Sequence, residues 1–255
     1  MTNLINLPDL VKGYEFRPQL RDRITSPFTV WPSEASCVKP NGTTVGKCLR
    51  QMYYEWKKVP TTNTISEHLI LTIIWGQAIE AYLIKKFQKM GILVGEKEDY
   101  AFKFSMNDIR VSGRLDGIIK QGNQAPIIEI KTYENDPKYI QEMPKIPHLL
   151  QIFLYICLYR PKVPFGLLYY RQRPQRFGTI KDICHRVEFI KQNGDAYPVI
   201  NGNIYKEISF KGIVSQWKKA KYFITNNILP PKSYTGKSKQ CSWCLHRGKC
   251  KQDGD

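Results

Sequence analysis

Residues 113–131 read GRLDGIIKQGNQAPIIEIK, and this stretch decides the predicted fold. Asp116 lies on one apolar segment and Glu129 and Lys131 lie on the next, with a Gly-Asn turn sequence between the two segments. Because side chains alternate along a strand, Glu129 and Lys131 should share one face while the intervening isoleucines take the other. If the two strands are neighbours, Asp116 can approach the same face. The stretch therefore predicts a hairpin-like pair of strands with three charged groups at one sheet edge.

Two carboxylates and an ammonium are costly to bring together without a counter-ion. Mg²⁺ suits such a group, because it prefers oxygen ligands and retains several waters. A divalent ion bound by Asp116 and Glu129 would polarise a phosphodiester and lower the pKa of its bound water, and Lys131 would offset developing negative charge. The alternative interpretation is a surface strand that carries ordinary solvated charges.

The rest of the chain alternates between helical and strand patterns. This order indicates an α/β fold with mixed strand pairing. Residues 1–45 lack a sustained period and are predicted to be an N-terminal arm, whereas residues 46–255 are predicted to form a single domain that ends in a Cys-rich tail. The predicted helices are 67–90, 148–160 and 208–229, and the predicted strands are 109–115, 127–131, 165–171 and 184–191.

The composition predicts a polyanionic partner. The 255 residues include 39 Lys and Arg against 22 Asp and Glu, a formal net charge of +17. A charge of this size attracts nucleic acid or an anionic membrane and does not choose between them. The apolar stretches are much shorter than the roughly 20 residues that span a bilayer, and the N-terminus lacks the order of a secretory signal. We therefore expect a cytoplasmic protein without a membrane segment.

Seven cysteines occur in the chain, and three of them form the pattern Cys241-x2-Cys244-x5-Cys250. A reducing compartment disfavours disulfides, so clustered cysteines are first interpreted as metal ligands. Cys48 is a lone upstream candidate for a fourth ligand. Four thiolates suit either an iron–sulfur cluster or Zn²⁺.

The Asp116, Glu129-x-Lys131 pattern resembles the PD-(D/E)XK nuclease superfamily. Its flanking residues resemble the RecB-like branch, which includes Cas4 and the nuclease domains of AddAB-type enzymes. The resemblance implies a restriction-endonuclease-like core, in which a central mixed sheet is flanked by helices. It also implies that Cys48, Cys241, Cys244 and Cys250 hold a [4Fe–4S] cluster that closes the domain, with Zn²⁺ as the competing occupant.

The resemblance also implies roles for individual residues. Asp116 and Glu129 would bind Mg²⁺ or Mn²⁺, and Lys131 would assist catalysis. Glu80, four residues after Gly76, stands where the branch has a metal-binding His, and it would complete the metal shell. Gln151 and Tyr155 match a Q-x-x-x-Y pattern that would position the DNA strand or the lysine.

Several basic and aromatic residues near these motifs are candidate DNA contacts, because aromatics mixed with basic residues are typical of single-strand grooves. These candidates are Arg50, Arg114, His148, Tyr170 and Arg171.

The leading hypothesis is a metal-dependent exonuclease that acts on single-stranded DNA, ends or flaps, from the 5′ end as in related enzymes. It would work in phage recombination and replication or in Cas4-like spacer processing, with a helicase, recombinase or Cas1-like partner. The segment NGTTVGKC, residues 41–48, departs from a nucleotide-binding loop, so unwinding would come from a partner. Two alternatives are a degenerate DNA-binding or recruitment protein and a zinc-stabilised RNA-processing nuclease. The sequence leaves the oligomeric state open.

Overall fold

The computed structural model describes residues 28–64, 66–106, 108–134, 136–159, 165–173, 180–234 and 238–254. Residues 1–27 of the predicted arm lie outside the described residues. The strands are β1 (Phe28–Val30), β2 (Ser36–Val38), β3 (Thr44–Gly46), β4 (Ala101–Met106), β5 (Ile109–Arg114), β6 (Gly117–Ile118), β7 (Ile127–Tyr133), β8 (Phe165–Gln172), β9 (Asp182–Gln192), β10 (Asp195–Ile200) and β11 (Asn203–Ile204). The α-helices are α1 (Leu49–Trp56), α2 (Glu67–Lys89), α3 (Pro137–Gln141), α4 (Ile146–Leu158), α5 (Phe210–Thr225), α6 (Lys239–Ser242) and α7 (Arg247–Gln252), and short 3₁₀ helices span Pro32–Glu34 and Lys97–Tyr100.

The strands described form three sheets. The largest has six strands in the order β11-β10-β9-β8-β7-β6, in which β7 and β8 run parallel and the other pairs run antiparallel. A three-stranded sheet has the order β1-β5-β4, and β2 pairs with β3. The fold is thus α/β with mixed sheets, and the predicted class is confirmed.

Helices α2 and α4 cover β7 from its two sides. Ile79 and Leu83 of α2 form an apolar cluster with Ile128 and Ile130 of β7. The main core contains most of α4, together with Tyr133 at the end of β7. Both faces of β7 are thus covered, and its residues 127–130 are buried although Glu129 among them carries a carboxyl group.

Local signals explain where the long helices begin. The Ser66 hydroxyl accepts a hydrogen bond from the Leu69 backbone N–H at the start of α2, and Ser209 does the same for Gly212 at the start of α5. These side chains satisfy backbone donors that the helix itself leaves unpaired. A proline in the first turn of α4 removes a donor that would have no partner within the helix.

Residues 28–45, which were predicted to belong to the arm, are part of the packed domain. Phe28, Val30 and Cys37 are buried in the main core, and β1 pairs in parallel with β5. The sequence pattern missed these strands because they are only three residues long. The strand pair β10–β11 and helix α1 were also missed.

The chain bends at Asp116. The predicted strand 109–115 ends as β5 in the three-stranded sheet, and the two-residue strand β6 then joins the edge of the six-stranded sheet. Asp116 lies between β5 and β6. The hairpin-like pair was therefore correct for β6 and β7, while most of the upstream strand belongs to a different sheet.

Candidate functional site

Asp116 is held against the middle of β7. Its Oδ2 accepts a hydrogen bond of 2.7 Å from the backbone N–H of Ile130, which lies between Glu129 and Lys131. The pairing of Gly117 with Ile128 brings the bend beside this part of the strand. Asp116, Glu129 and Lys131 are thus brought together, and we refer to them as the carboxylate–lysine site.

The two β7 members of the site form an ion pair. Lys131 Nζ donates to Glu129 Oε1 at 2.5 Å. Glu129 is fully buried, and its other oxygen, Oε2, has no hydrogen-bond partner among the described residues. An unsatisfied buried carboxylate oxygen is costly, and it is the type of atom that a hard cation binds.

Burial and like charge act together on the carboxylates. Burial, reinforced by the nearby charge of Asp116, raises the pKa of Glu129 to about 8. Burial also raises the pKa of Asp116, although Lys131 and the Ile130 N–H oppose this shift. Burial disfavours the charged form of Lys131, but Glu129 and Asp116 outweigh it and the pKa of Lys131 rises. Lys131 therefore stays protonated, and the two carboxyl groups hold their protons more tightly than usual until a cation displaces them.

Helix α2 places Glu80 within electrostatic range of the site. Its carboxylate lies close enough to Glu129 and Lys131 to raise the pKa of both groups. A Cβ placed on Gly76, one turn earlier, would lie 3.6 Å from Thr132 Oγ1, so the helix passes close to β7 here. Within the described ranges, no three His, Cys, Asp or Glu side chains are grouped as a metal site in their present positions.

Gln151 and Tyr155 form a hydrogen-bonded chain that ends on the bend. Gln151 Nε2 donates to Tyr155 Oη, and Tyr155 Oη donates to the carbonyl oxygen of Arg114, each at 3.0 Å. Tyr155 is 3% exposed, so it cannot position a DNA strand by direct contact. A Cβ on Gly113 would come within 3.1 Å of the Tyr155 ring and 2.6 Å of Phe102, and only glycine leaves room for this packing. Tyr155 instead fixes the backbone that precedes Asp116.

Tyr170 and His148 also serve an internal role. Tyr170 is fully buried, which contradicts its prediction as a DNA contact. Its hydroxyl lies 3.0 Å from His148 Nδ1 and accepts a hydrogen bond from the Lys145 backbone N–H. Burial, with the charges of Lys131 and Lys145, lowers the pKa of His148 to about 3. His148 is therefore a neutral ring near Lys131, a pairing that the sequence spacing did not indicate.

The three predicted arginine contacts differ in exposure. Arg114 is exposed beside the bend, and Arg171 is partly exposed and ion-paired with Asp182 at 2.6 Å. Arg50 is 2% exposed, so its prediction as a DNA contact was wrong. Arg50 lies in α1, and packing of α1 beneath the C-terminal tail removes it from the surface.

The four predicted ligand cysteines line one cavity of about 300 Å³. We call this the cysteine cavity, and its cysteines are Cys48, Cys241, Cys244 and Cys250. Burial raises the pKa of the Cys244 thiol, and the other three cysteines lie close enough to add to this shift. Of the remaining cysteines, Cys37 is buried, Cys157 is partly buried and Cys184 is exposed.

Hydrogen bonds close the chain around this cavity independently of any bound group. Arg50 Nε donates to the Pro230 carbonyl at 2.7 Å, and its Nη1 donates to the Gly254 carbonyl at 2.5 Å. The same nitrogen lies 3.8 Å from Cys250 Sγ. Tyr54 donates to Asp253 at 2.7 Å, and the backbone N–H of Thr62 donates to the Leu245 carbonyl. Helix α1 and the tail are thus tied together.

The family follows from comparison with known proteins. Residues 45–251 match the family model of the PD-(D/E)XK nuclease superfamily. The chain belongs to this superfamily. Membership implies a metal-dependent nuclease, and such nucleases typically use Mg²⁺ or Mn²⁺. The matched range includes the carboxylate–lysine site and the four cysteines of the cavity.

Solved structures add support for the fold. The crystal structure of SSO0001 resembles the chain with a TM-score of 0.51 and 14% sequence identity, and the match covers 96% of each chain. At this identity the likeness supports the fold alone. No curated protein matches the sequence. Among the described helices, none is both long and apolar enough to cross a membrane.

Proposed function

We propose that this member of the PD-(D/E)XK superfamily is a RecB-like, Cas4-like exonuclease that hydrolyses phosphodiester bonds of single-stranded DNA, ends or flaps from the 5′ end. The single observation that carries the proposal is the convergence of Asp116, Glu129 and Lys131 beside the bend. The net charge of +17 supports a nucleic-acid substrate.

We propose that Asp116 and Glu129 hold Mg²⁺ or Mn²⁺ and that Glu80 completes the ligand set. The buried, unpaired Oε2 of Glu129 supports this assignment, because a divalent cation supplies the missing partner. Once deprotonated, the three carboxylates exceed the single ammonium in charge, and a divalent cation offsets the difference. When bound, the cation polarises a phosphodiester and provides hydroxide at neutral pH.

The side chains of the chain itself prepare the reaction. The Ile130 N–H fixes the Asp116 carboxylate, and the ion pair with Lys131 orients Glu129. Lys131 carries its positive charge next to the position where a phosphate would gain negative charge, and such fixed charges stabilise a transition state in a site that excludes water. Tyr155 and Gln151 contribute indirectly, because they hold the backbone bend that precedes Asp116. The exposed Arg114 contacts the DNA strand.

We propose that the cysteine cavity holds a [4Fe–4S] cluster. Four cysteines around a volume of about 300 Å³ fit a multi-atom cluster, whereas a single Zn²⁺ needs four sulfurs at about 2.3 Å and would fill little of this space. Arg50 supports an anionic group here, because a buried guanidinium near Cys250 favours negative charge. Such a cluster would join the two ends of the domain.

A nuclease assay tests the catalytic proposal. The substrates are 5′-blocked, 3′-blocked and circular single strands, matched duplexes and a matched RNA strand, each with Mg²⁺, Mn²⁺ or EDTA. The proposal expects metal-dependent loss of single-stranded DNA that a 5′ block prevents. Cleavage of circles, preference for RNA, or full activity of Lys131→Ala would each contradict a defined part of it.

Metal analysis tests the cluster separately. Protein purified without oxygen should be brown and contain about four irons per chain, with matching sulfide. Stoichiometric zinc without iron would overturn the cluster and leave the catalytic proposal intact. We place the protein in the cytoplasm, in phage recombination or in Cas4-like spacer processing. Copurification of a helicase, a recombinase or a Cas1-like partner would distinguish these contexts.

A further inference from the structure

A basic groove crosses α5 on the side of the fold away from the carboxylate–lysine site. It consists of two cavities of about 760 and 560 Å³ that share Ser215 and Lys218 as lining residues. We call the two together the α5 groove. Helix α5 packs against β10, which is four strand positions from β6 in the six-stranded sheet. At about 4.8 Å per strand, β10 is roughly 19 Å from β6, the edge strand that follows Asp116.

Lysines dominate the polar lining of the α5 groove. Lys191, Lys211 and Lys218 line one cavity, and Lys218, Lys219 and Lys232 line the other. Among the described residues that line the two cavities, Asp195 is the one acidic residue. Its Oδ1 already accepts hydrogen bonds from the backbone N–H groups of Ala196 and Lys211. The lining of the groove is therefore positive, and its carboxylate is held by backbone N–H groups. Asp108 lies beside the groove, where it pairs with Lys221 and interacts with Lys218.

Aromatic side chains accompany the lysines. Tyr222 lines the second cavity and is 58% exposed, and Phe210 and Phe223 line the two cavities with partly buried rings. An exposed ring on a basic groove is typical of surfaces that bind single-stranded nucleic acid, where bases stack on aromatics and lysines follow the phosphates. Residues 210–223 of α5 extend over about 20 Å, which is long enough for several nucleotides.

We propose that the α5 groove is a second binding surface for single-stranded DNA, separate from the site of cleavage. Lysines 191, 211, 218 and 219 contact the phosphates, and Tyr222 stacks on a base. The groove holds a strand whose end lies elsewhere on the protein. Lys232 lines both the groove and the cysteine cavity, so the bound strand passes beside the closure of the domain.

Binding of a fluorescent 24-nucleotide strand in EDTA tests the groove without cleavage, so the result does not depend on the proposed activity. The test variant reverses Lys211, Lys218 and Lys219 to Glu, and the control variant reverses the exposed Lys85, Lys89 and Lys103, which gives the same change in net charge. We expect the test variant to lose roughly tenfold or more in affinity and the control variant to lose much less. The slope of log affinity against log salt should fall by about 2, or about 0.7 per lost phosphate contact.

A second pair of variants tests stacking. Tyr222→Ala should weaken binding several-fold without changing the salt slope, and Tyr222→Phe should bind like the parent. Tyr82→Ala is the matched control, because Tyr82 is 57% exposed on α2. Equal losses in the two lysine variants would show that net charge alone matters, and equal effects of Tyr222→Ala and Tyr82→Ala would remove the stacking role. Either result overturns the proposal.

Discussion

The carboxylate–lysine site draws its three charged groups from residues 116–131, whereas the cysteine cavity joins Cys48 to cysteines near the other end of the chain. The first is assembled by a short strand pair and one backbone hydrogen bond. The second depends on contacts between α1 and the tail, such as those of Arg50 and Tyr54. Local geometry therefore places the proposed chemistry, and long-range closure holds the domain together. Changes in the first region should affect activity, and changes in the second should affect stability.

The largest expected effect is at Lys131. Lys131→Met should reduce the cleavage rate by at least about 10²-fold, because it removes the fixed positive charge nearest the carboxylates. The single variant also leaves Glu129 buried without its ion-pair partner, which is destabilising. The double variant Glu129→Gln/Lys131→Met should regain thermal stability and stay inactive. A stable, active double variant would remove the catalytic assignment.

The cysteine cavity should show the opposite behaviour. Cys241→Ser should lower the melting temperature by roughly 10 °C, because the proposed cluster would lose one of its four ligands. Cys184→Ser is the matched control, because Cys184 is exposed and does not line the cavity, and it should melt like the parent. Calorimetry and iron content measured on the same samples check this. Equal melting temperatures of the two variants would mean that the hydrogen bonds between α1 and the tail hold the domain closed without a cluster.

Arg50 should give a smaller loss of stability. Arg50→Met leaves the Pro230 and Gly254 carbonyls without their buried donor, and we expect a fall in melting temperature of roughly 5 °C. The proposed cluster should also be retained less well, with lower iron content, because the positive charge beside Cys250 is gone. Arg50→Lys should recover part of the iron retention. Unchanged iron content in Arg50→Met would show that the guanidinium serves only the closure.

The pH dependence of stability tests the carboxylate–lysine site alone, because it requires no substitution in the cysteine cavity. Because burial raises the pKa of Glu129 to about 8, the folded state retains a proton that the unfolded state releases above about pH 4.5. In EDTA the parent should lose stability relative to Glu129→Gln as pH rises from about 4.5 to 8, and the difference should then level off. Mg²⁺ or Mn²⁺ should stabilise the parent most at the high end. If the melting temperatures of the parent and Glu129→Gln in EDTA changed in parallel with pH, the raised pKa of Glu129 would be contradicted.

The smallest effect should come from Tyr155. Tyr155→Phe removes the hydrogen bond to the Arg114 carbonyl and should cost about 1 kcal/mol of stability. Because this bond fixes the bend before Asp116, cleavage should slow by several-fold while strand affinity is unchanged. Weaker DNA binding with an unchanged cleavage rate would instead indicate that Tyr155 contacts the DNA strand.

The sequence predicted what local spacing controls. Alternation in β7 and the turn before it indicated that Asp116, Glu129 and Lys131 would meet, and helical periodicity located α2, α4 and α5. Burial depends on the whole fold, so spacing could not show that Tyr170 and Arg50 are internal. The three-residue strands β1, β2 and β3 carry too few residues for a period, and only tertiary pairing identifies them.

The tie between α1 and the tail has a practical consequence for protein engineering. Gly254 and Asp253 supply hydrogen-bond acceptors to Arg50 and Tyr54. Removal of residues 253–255 would therefore leave Arg50 Nη1 and the Tyr54 hydroxyl without these acceptors. An affinity tag fused directly to these residues would compete for the same space. A long flexible spacer would leave this junction undisturbed.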